Sequence, residues 1–304
     1  MLSAAVHRHL ELYRSMGFQY RVQAYMLYSF VAFAESRSES FIRTETVLEW
    51  AASAPSTRQR YDRLQTVRRL ACALHAENEQ HQVPPADAFG GTPKRWRTCH
   101  IFTPEEIDRL LQATARLSSR RSIRPATCQA LFALLAATGL RVSEALHLQL
   151  SDLTEDGLLI RTTKFQKSRL VPLHETTRRG LQQYLVTRKR NKVNTAAVFV
   201  SKYGTALPYS TVNQTFLSLA RSVGLRGGPG CRGCRLQDLR HTFAVRSLEQ
   251  CTGDRQAVAR HMTALSTYLG HAHVSDTYWY LQATPKLLRD VAEVAEARHR
   301  GGQP

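Results

Sequence analysis

The sequence contains no long apolar segment. Its longest uninterrupted apolar run, Ala130–Ala137, has eight residues, whereas a membrane-spanning helix needs about 20. The N-terminal stretch MLSAAVHRHLELYRSMG carries charges where a signal peptide would need apolar residues. The sequence therefore excludes a membrane protein or a secreted one and predicts a cytoplasmic protein.

Cysteine is also scarce. Six cysteines in 304 residues form no disulfide framework, which is typical of a reducing compartment. Cys231 and Cys234 have zinc-knuckle spacing, but no second pair follows, and a structural zinc normally has four ligands.

The sequence also lacks a GxxxxGK[ST] nucleotide motif and a carboxylate cluster suited to two-metal chemistry. We predict neither a metal nor another cofactor.

Acidic residues are too few to balance the basic ones. Lys and Arg number 42 against 24 Asp and Glu, a formal charge of +18, and 43% of the residues are hydrophobic. That apolar content excludes a disordered basic tail. The net charge is +1 over residues 1–91, +5 over 92–126 and +12 over 127–304. A positive excess on a folded chain indicates a polyanionic partner, most often nucleic acid.

The N-terminal part is predicted to be all-helical. Leu27, Phe30, Val31 and Ala34 follow the i, i+3, i+4, i+7 spacing of one apolar helix face. A second helix repeats the pattern at Leu64, Val67, Ala71 and Leu74. It also carries Arg60, Arg63, Arg68 and Arg69, which either meet phosphates or form a solvated face.

Residues 92–102 are interpreted as a linker between a domain at 1–91 and a larger one at 103–304. The linker follows Gly90-Gly91 and places Lys94, Arg95 and Arg97 around Trp96. That composition suits contact with a phosphate backbone, so we predict that these three residues bind DNA.

The larger domain is predicted to be mainly α with a small antiparallel β-sheet. Thr103-Pro104 opens a helix as N-cap and first residue, and Gly139 ends another. Two short apolar runs, 158–160 and 170–173, flank a basic turn and predict a hairpin. The turn carries Lys164, Lys167 and Arg169, of which the last two are predicted to contact DNA.

Four segments in order carry the chemistry. They are the stretch ATGLRVSE ending at Glu144, the hairpin with Lys164, the stretch LQDLRHTFA around Arg240, and Leu269-Gly-His271 with Tyr280 nine residues later. Together they resemble the catalytic domain of the tyrosine recombinases, the phage integrase family, over roughly residues 100–285. The helical N-terminal part is similar to that family's core-binding domain.

The residue types also fit the chemistry of phosphodiester cleavage. Covalent catalysis needs a nucleophile, cations at the non-bridging oxygens and an acid for the leaving oxygen. The resemblance assigns Tyr280 as nucleophile, with Arg141 and Arg240 on the phosphate. It also implies that His271 donates a hydrogen bond to the phosphate and that Lys164 protonates the 5′-oxygen. Arg141 can also pair with Glu144, which the resemblance places as support for the site.

Two features of the site depart from this assignment or leave it open. The family usually has His or Lys three positions before the second arginine, where this chain has Gln237; an amide cannot accept a proton, so we expect slower cleavage. Tyr278 competes with Tyr280 if the register differs. His241 is predicted to contact DNA rather than replace the base, because one helical step turns it about 100° from Arg240.

The sequence therefore predicts an integrase or recombinase of a mobile element that cleaves and rejoins double-stranded DNA through a 3′-phosphotyrosyl link. We expect a homo-oligomer, a tetramer during synapsis, at the nucleoid. A C-terminal helix over 285–298 either packs on its own domain or is donated to a neighbour. The alternatives are a type IB topoisomerase-like activity and a DNA-binding accessory protein that keeps the fold without full catalysis.

Overall fold

The computed structural model describes residues 2–91, 99–117, 122–161, 168–191, 193–228, 231, 233–251, 255–271, 273–278 and 280. The chain divides into two compact units, Met1–Trp96 and Arg97–Pro304. The division falls inside the predicted linker, and the finer limits of 1–91, 92–102 and 103–304 stay a prediction.

The first unit is built from four helices. They are α1 (Leu2–Ser15), α2 (Arg21–Glu35), α3 (Thr44–Ala52) and α4 (Thr57–Glu77). The apolar faces predicted on α2 and α4 are confirmed, because all eight of their pattern residues are buried and belong to one core that α1 and α3 complete. Ser56 begins α4 as its N-cap, accepting a hydrogen bond from the backbone N–H of Gln59.

Arginines of α4 bind atoms of their own unit. Arg60 and Arg68 donate to the carbonyls of Ala54 and Pro84. Arg63 donates to the carbonyl of Trp50 and lies 4.8 Å from the centre of its ring. These side chains brace the helix against the loops around it, so they are not simply a solvated face.

The second unit holds the remaining elements. They are α5 (Pro104–Ala113), α6 (Arg124–Thr138), α7 (Val142–His147), β1 (Leu158–Ile160), β2 (Arg169–Val171), α8 (Glu175–Arg190), α9 (Tyr209–Ser222), α10 (Asp238–Glu249), α11 (Arg255–Leu269) and α12 (Ser275–Tyr278), with short 3₁₀ turns at Thr114–Arg116 and Leu150–Asp152. The mainly helical fold with a small antiparallel sheet is confirmed. No helix in the described part of the chain is long and apolar enough to cross a membrane.

The strands pair as the hairpin pattern predicted. Leu158 lies opposite Val171 and Ile160 opposite Arg169 in an antiparallel pair. Val171 is fully buried, whereas Leu170 is exposed, as expected when alternate residues face opposite sides. Lys164 and Lys167 lie outside the described residues.

The predicted helix ends are also confirmed. The side chain of Thr103 accepts a hydrogen bond from the backbone N–H of Glu106, and the carboxylate of Glu106 accepts one from the N–H of Thr103. Gly139 ends α6 with φ +61°, and a Cβ on it would lie 2.5 Å from the ring of Phe243. Glycine is therefore required there both by the left-handed backbone and by the close approach of α10.

Candidate active site

Three helix ends meet at the predicted catalytic residues. Arg141 lies at the junction of α6 and α7, Arg240 lies in the first turn of α10, and His271 follows the end of α11. The last carbonyls of a helix have no partner within the helix and carry partial negative charge. The two arginines bind carbonyls at the ends of α6 and α11, and this draws the three segments together.

Arg240 lies at the centre of this arrangement and is almost fully buried, with 2% exposure. It donates from Nη1 to the carbonyl of Gly139 at 2.7 Å and from Nη2 to the carbonyl of Leu269 at 2.7 Å. Nη2 also lies 3.1 Å from Nε2 of His271. The pKa of Arg240 is lowered to about 10, because the effect of burial outweighs the interaction with Tyr280, which raises this pKa. The guanidinium therefore stays charged at neutral pH despite its burial.

Arg141 is more accessible, with 29% of its side chain exposed. Its Nη2 donates to the carbonyl of Gly270 at 2.9 Å, and Nη1 donates to Oε1 of Glu144 at 2.8 Å. The other carboxylate oxygen of Glu144 accepts the backbone N–H of Arg141 at 3.0 Å. Glu144 thus holds both the main chain and the side chain of this arginine, in agreement with its predicted supporting role.

Glu144 is buried and binds a second arginine. Arg169 donates from Nη1 to Oε1 at 3.1 Å and from Nη2 to Oε2 at 2.7 Å. Burial would raise the pKa of Glu144, but the hydrogen bonds and charges of Arg169 and Arg141 outweigh burial and lower it. Glu144 is therefore ionised and shared between two cations.

His271 is a neutral imidazole in this structure. Burial, followed by the charges of Arg240 and Arg141, lowers its pKa to about 4. Because Arg240 can only donate, Nε2 of His271 accepts, so the ring proton lies on Nδ1, 2.7 Å from Oγ1 of the buried Thr277. The hydrogen-bond donation to phosphate expected of His271 would require Nε2 to gain a proton.

Tyr280 packs directly against these residues. Its ring lies parallel to that of His271, with centroids 6.0 Å apart, and its exposure is 3%. Burial raises the pKa of Tyr280, while the charge of Arg240 and a hydrogen bond with it lower the pKa. The structure thus brings together Arg141, Arg240, His271 and Tyr280.

The neighbours of the second arginine differ from expectation in one respect. Gln237 immediately precedes α10 and its carbonyl accepts the N–H of Arg240 at 3.1 Å. His241, expected to point about 100° from Arg240, lies close to the proposed nucleophile, with its ring centroid 5.5 Å from that of Tyr280. The tyrosine ring is large enough to contact two successive residues of α10. Burial lowers the pKa of His241 to about 4, so this half-buried ring adds no positive charge for DNA at neutral pH.

Among the described residues, one group of side chains has donor atoms close enough for a metal. Cys99, Asp238 and His241 place one ligand atom each within 4.8 Å of one another. However, Arg235 already neutralises Asp238, with Nη2 2.9 Å from Oδ1 and the backbone nitrogen 2.8 Å from Oδ2. Burial raises the pKa of Cys99 to about 11, so that in the absence of a metal the thiol is protonated. The group is better described as an ion pair with a neighbouring thiol.

The zinc-knuckle pair lies in a glycine-rich loop around one arginine. Cys231 is exposed and Cys234 is buried. Arg226 donates to the carbonyls of Cys231, Gly233 and Cys234. The guanidinium therefore organises this loop through its main chain.

Comparison with known proteins identifies the family. Residues 100–286 match the model of the phage integrase family. The chain is 39% identical over 305 residues to an integrase/recombinase named y4rB from Sinorhizobium fredii, a match that covers 97% of this chain and 96% of that protein. The chain belongs to the phage integrase family. It is a tyrosine-type site-specific recombinase, an enzyme that breaks and rejoins DNA strands.

Other members of the family match over less of the chain or at lower identity. The tyrosine recombinase XerD of Oceanobacillus iheyensis is 31% identical over 208 residues, which cover 66% of this recombinase and 63% of XerD. The crystal structure of a lambda integrase dimer bound to a COC′ core site superimposes with a TM-score of 0.64 at 15% identity, covering 93% of this chain and 96% of that chain. That likeness shows that the fold is shared.

The predicted DNA contacts of this recombinase are only partly described. Lys94, Arg95, Arg97 and Lys167 lie outside the described residues, as does Lys164, the predicted acid. Arg169 lies inside them and contacts Glu144 instead of standing free, with 12% of its side chain exposed. The position of Arg169 in a basic hairpin indicated a surface cation. The sequence of the hairpin cannot show that a buried acid from another helix lies beside this side chain.

The sequence interpretation missed Gly270 and Thr277 as parts of the site. Gly270 has φ +68° and supplies a carbonyl to Arg141, and the hydroxyl of Thr277 is the hydrogen-bond partner of Nδ1 of His271. Gly270 lies inside the LGH motif, which was a usable signal. Thr277 lies six residues after His271 with no motif of its own, so only the fold reveals it.

Proposed function

We propose that Tyr280 is the nucleophile of this recombinase and that Arg141 and Arg240 bind the scissile phosphate. The tyrosine oxygen forms a bond to phosphorus as the bond to the 5′-oxygen breaks, which leaves a 3′-phosphotyrosyl link. Lys164 gives a proton to the departing 5′-oxygen. The bond energy is kept for rejoining to another strand.

The observation that carries this proposal is the position of Arg240. A single guanidinium, 2% exposed, binds the carbonyls of Gly139 and Leu269, the ring of His271 and the side chain of Tyr280. Burying a cation beside a neutral tyrosine costs free energy unless an anion pairs with the cation. Guanidinium groups match phosphate oxygens in geometry and charge, which supports a phosphate as that anion.

We also infer where the proton of Tyr280 goes. Gln237 cannot accept it, whereas the neutral imidazole of His271 has one lone pair on Nε2. That lone pair accepts from Arg240 in this structure, and it becomes available for the proton when Arg240 turns to the phosphate. Once protonated there, His271 becomes a donor that can hydrogen-bond to the phosphate. This transfer links ionisation of the nucleophile to stabilisation of the phosphate charge, and Arg240 contacts both partners.

The proposal extends to assembly and location. Lambda integrase forms a tetramer on a Holliday junction in a solved structure of 17% identity, and we infer that this recombinase also works as a tetramer on double-stranded DNA during synapsis. We infer that it acts on mobile-element DNA at the nucleoid, in the cytoplasm. The C-terminal helix over 285–298, for which donation to a neighbour was considered, lies outside the described residues.

Trapping the covalent complex tests the proposed function. The full chain is incubated with randomly nicked fragments of its host genome, in which a nick beside the cleavage site releases the leaving strand and traps the covalent complex. The DNA ends attached to protein are then sequenced. We expect a covalent complex with wild type and Tyr278→Phe but none with Tyr280→Phe. Loss in Tyr278→Phe alone would show that the register is wrong.

Two further outcomes would overturn the proposal. Selective retention of particular DNA fragments by the protein, without any covalent species, would support the accessory DNA-binding alternative, which Gln237 keeps open. Relaxation of supercoils without strand exchange between two marked sites would support topoisomerase-like activity. Sequencing the trapped ends also identifies the cognate site.

A further inference from the structure

Arg169 binds two segments that hold Arg141. It is the first residue of β2, and its guanidinium donates two hydrogen bonds to Glu144 of α7, at 3.1 and 2.7 Å. Its Nε donates to the carbonyl of Tyr268 in α11 at 2.8 Å. Only 12% of the side chain is exposed, and Nε, Nη1 and Nη2 all donate to oxygens of the protein.

The same two segments fix the guanidinium of Arg141. One of its bonds goes to Glu144 and the other to the carbonyl of Gly270, two residues after Tyr268. Arg169 also packs on Gly270, because a Cβ there would lie 2.7 Å from Nη1 of Arg169. Each partner of Arg141 is therefore held in turn by Arg169.

The charges add a second reason. Arg141 and Glu144 alone form a neutral pair, so the carboxylate would cancel much of the charge that Arg141 presents to a phosphate. Arg169 brings the net charge of the three side chains to +1. Because all three interact in a partly buried region, where charges are weakly screened, that added charge acts on the phosphate position.

We propose that Arg169 is a positioning residue for phosphate cleavage, which orients Arg141 through Glu144 and Gly270 and restores the positive charge that Glu144 would otherwise cancel. This inference rests on the proposed role of Arg141 at the scissile phosphate. It assigns to Arg169 a role inside the protein in place of the DNA contact that the sequence predicted. It also connects β2, at the base of the hairpin that carries Lys164, to the phosphate site.

Charge rescue tests the proposal. Arg169→Met leaves a neutral Arg141–Glu144 pair, so we expect the rate of covalent complex formation on the cognate suicide substrate to fall about 10²-fold, as for a small displacement of a catalytic group. Adding Glu144→Gln to Arg169→Met returns the net charge to +1. The double variant should therefore cleave at least tenfold faster than Arg169→Met alone, whereas purely structural losses would accumulate.

A substrate variant gives an independent readout. A methylphosphonate at the scissile position removes one negative charge, so it depends less on nearby cations. The loss caused by Arg169→Met should be at least tenfold smaller on this substrate than on the phosphate. A variant that is merely misfolded would lose both activities in the same proportion.

Arg188→Met is the matched control. Arg188 is also buried, at 6% exposure, but it binds the carbonyls of Thr195 and Ala197. We expect its phosphate-to-methylphosphonate rate ratio to equal that of wild type even if the protein loses stability. An unchanged ratio in Arg169→Met, or a double variant no faster than Arg169→Met alone, would overturn the inference. Failure of wild type to form any covalent complex would instead refute the proposed function.

Discussion

Replacing Arg240 with lysine separates its charge from its geometry. The buried guanidinium uses Nη1 for the carbonyl of Gly139 and Nη2 for the carbonyl of Leu269 and the ring of His271. A lysine ammonium is a single point and cannot occupy both nitrogen positions. The variant keeps a cation but loses at least one of the two helix-end contacts. We expect it to lose the bond to His271 as well, because a single nitrogen cannot reach all three acceptors.

The expected loss of stability follows from these bonds. A hydrogen bond to a charged group contributes about 1.5–3 kcal/mol, so two lost bonds correspond to about 3–6 kcal/mol. Burial already lowers the pKa of Arg240 from 12.5 to about 10, equivalent to about 3 kcal/mol. The same burial acting on an ammonium, whose pKa begins lower, would bring lysine toward neutrality as the pH rises.

Urea unfolding and single-turnover cleavage together test this. We expect Arg240→Lys to lose about 3–6 kcal/mol of unfolding free energy, and cleavage under folding conditions to fall about 10²–10³-fold, the usual cost of one preorganised donor. Arg246→Lys is the control on the same helix, because Arg246 donates to one carbonyl, that of Phe102. If both variants are equally stable and Arg240→Lys cleaves like wild type, the two-carbonyl argument is refuted.

Three further predictions concern the surroundings of the site. Gln237→His should accelerate cleavage on the cognate site, up to the 10²–10⁴-fold typical of a general base, and an unchanged rate would show that the amide is not limiting. Gly139→Ala should destabilise the protein by about 1–3 kcal/mol in urea unfolding, because it combines a left-handed backbone with overpacking. The control Gly180→Ala, in open space on α8, should be neutral or stabilising, so equal effects would refute the steric argument. His241 and His271 have pKa values lowered to about 4, so the unfolded chain binds protons first and unfolding free energy should fall as the pH drops from about 6.5 toward 4; a double His→Gln variant with the same acid slope as wild type would show that these two residues are not its source.

The sequence predicts the local structure of the site better than its contacts. The helix end at Gly139 and the N-cap at Thr103 depend on residues adjacent in the chain, and both are found as expected. The approach of Phe243 to Gly139 joins residues over 100 positions apart. No local pattern encodes that distance, although the glycine itself signals that something requires it.

Charge shows the same limit. The basic composition correctly indicates a nucleic-acid partner, but it treats every arginine alike. Arg169 and Arg226 both bind groups within the protein. Arg169 binds Glu144, and Arg226 binds carbonyls of its loop. Whether an arginine faces a nucleic acid or a buried acid depends on tertiary packing, which a count of charges does not contain.

The burial of Tyr280 constrains how the reaction begins. Tyr280 and Arg240 are 3% and 2% exposed and are in contact, whereas Arg141 has 29% of its side chain exposed. If Arg141 and Arg240 bind the scissile phosphate as proposed, the phosphate reaches the more accessible Arg141 first, and it reaches Arg240 as the tyrosine in contact with that arginine moves. Because a phosphate oxygen is a stronger hydrogen-bond acceptor for a guanidinium than a phenol is, its arrival at Arg240 displaces the hydroxyl. The cation that restrains the nucleophile is then the one that binds the group to be attacked, so that release of Tyr280 depends on a phosphate already held in place.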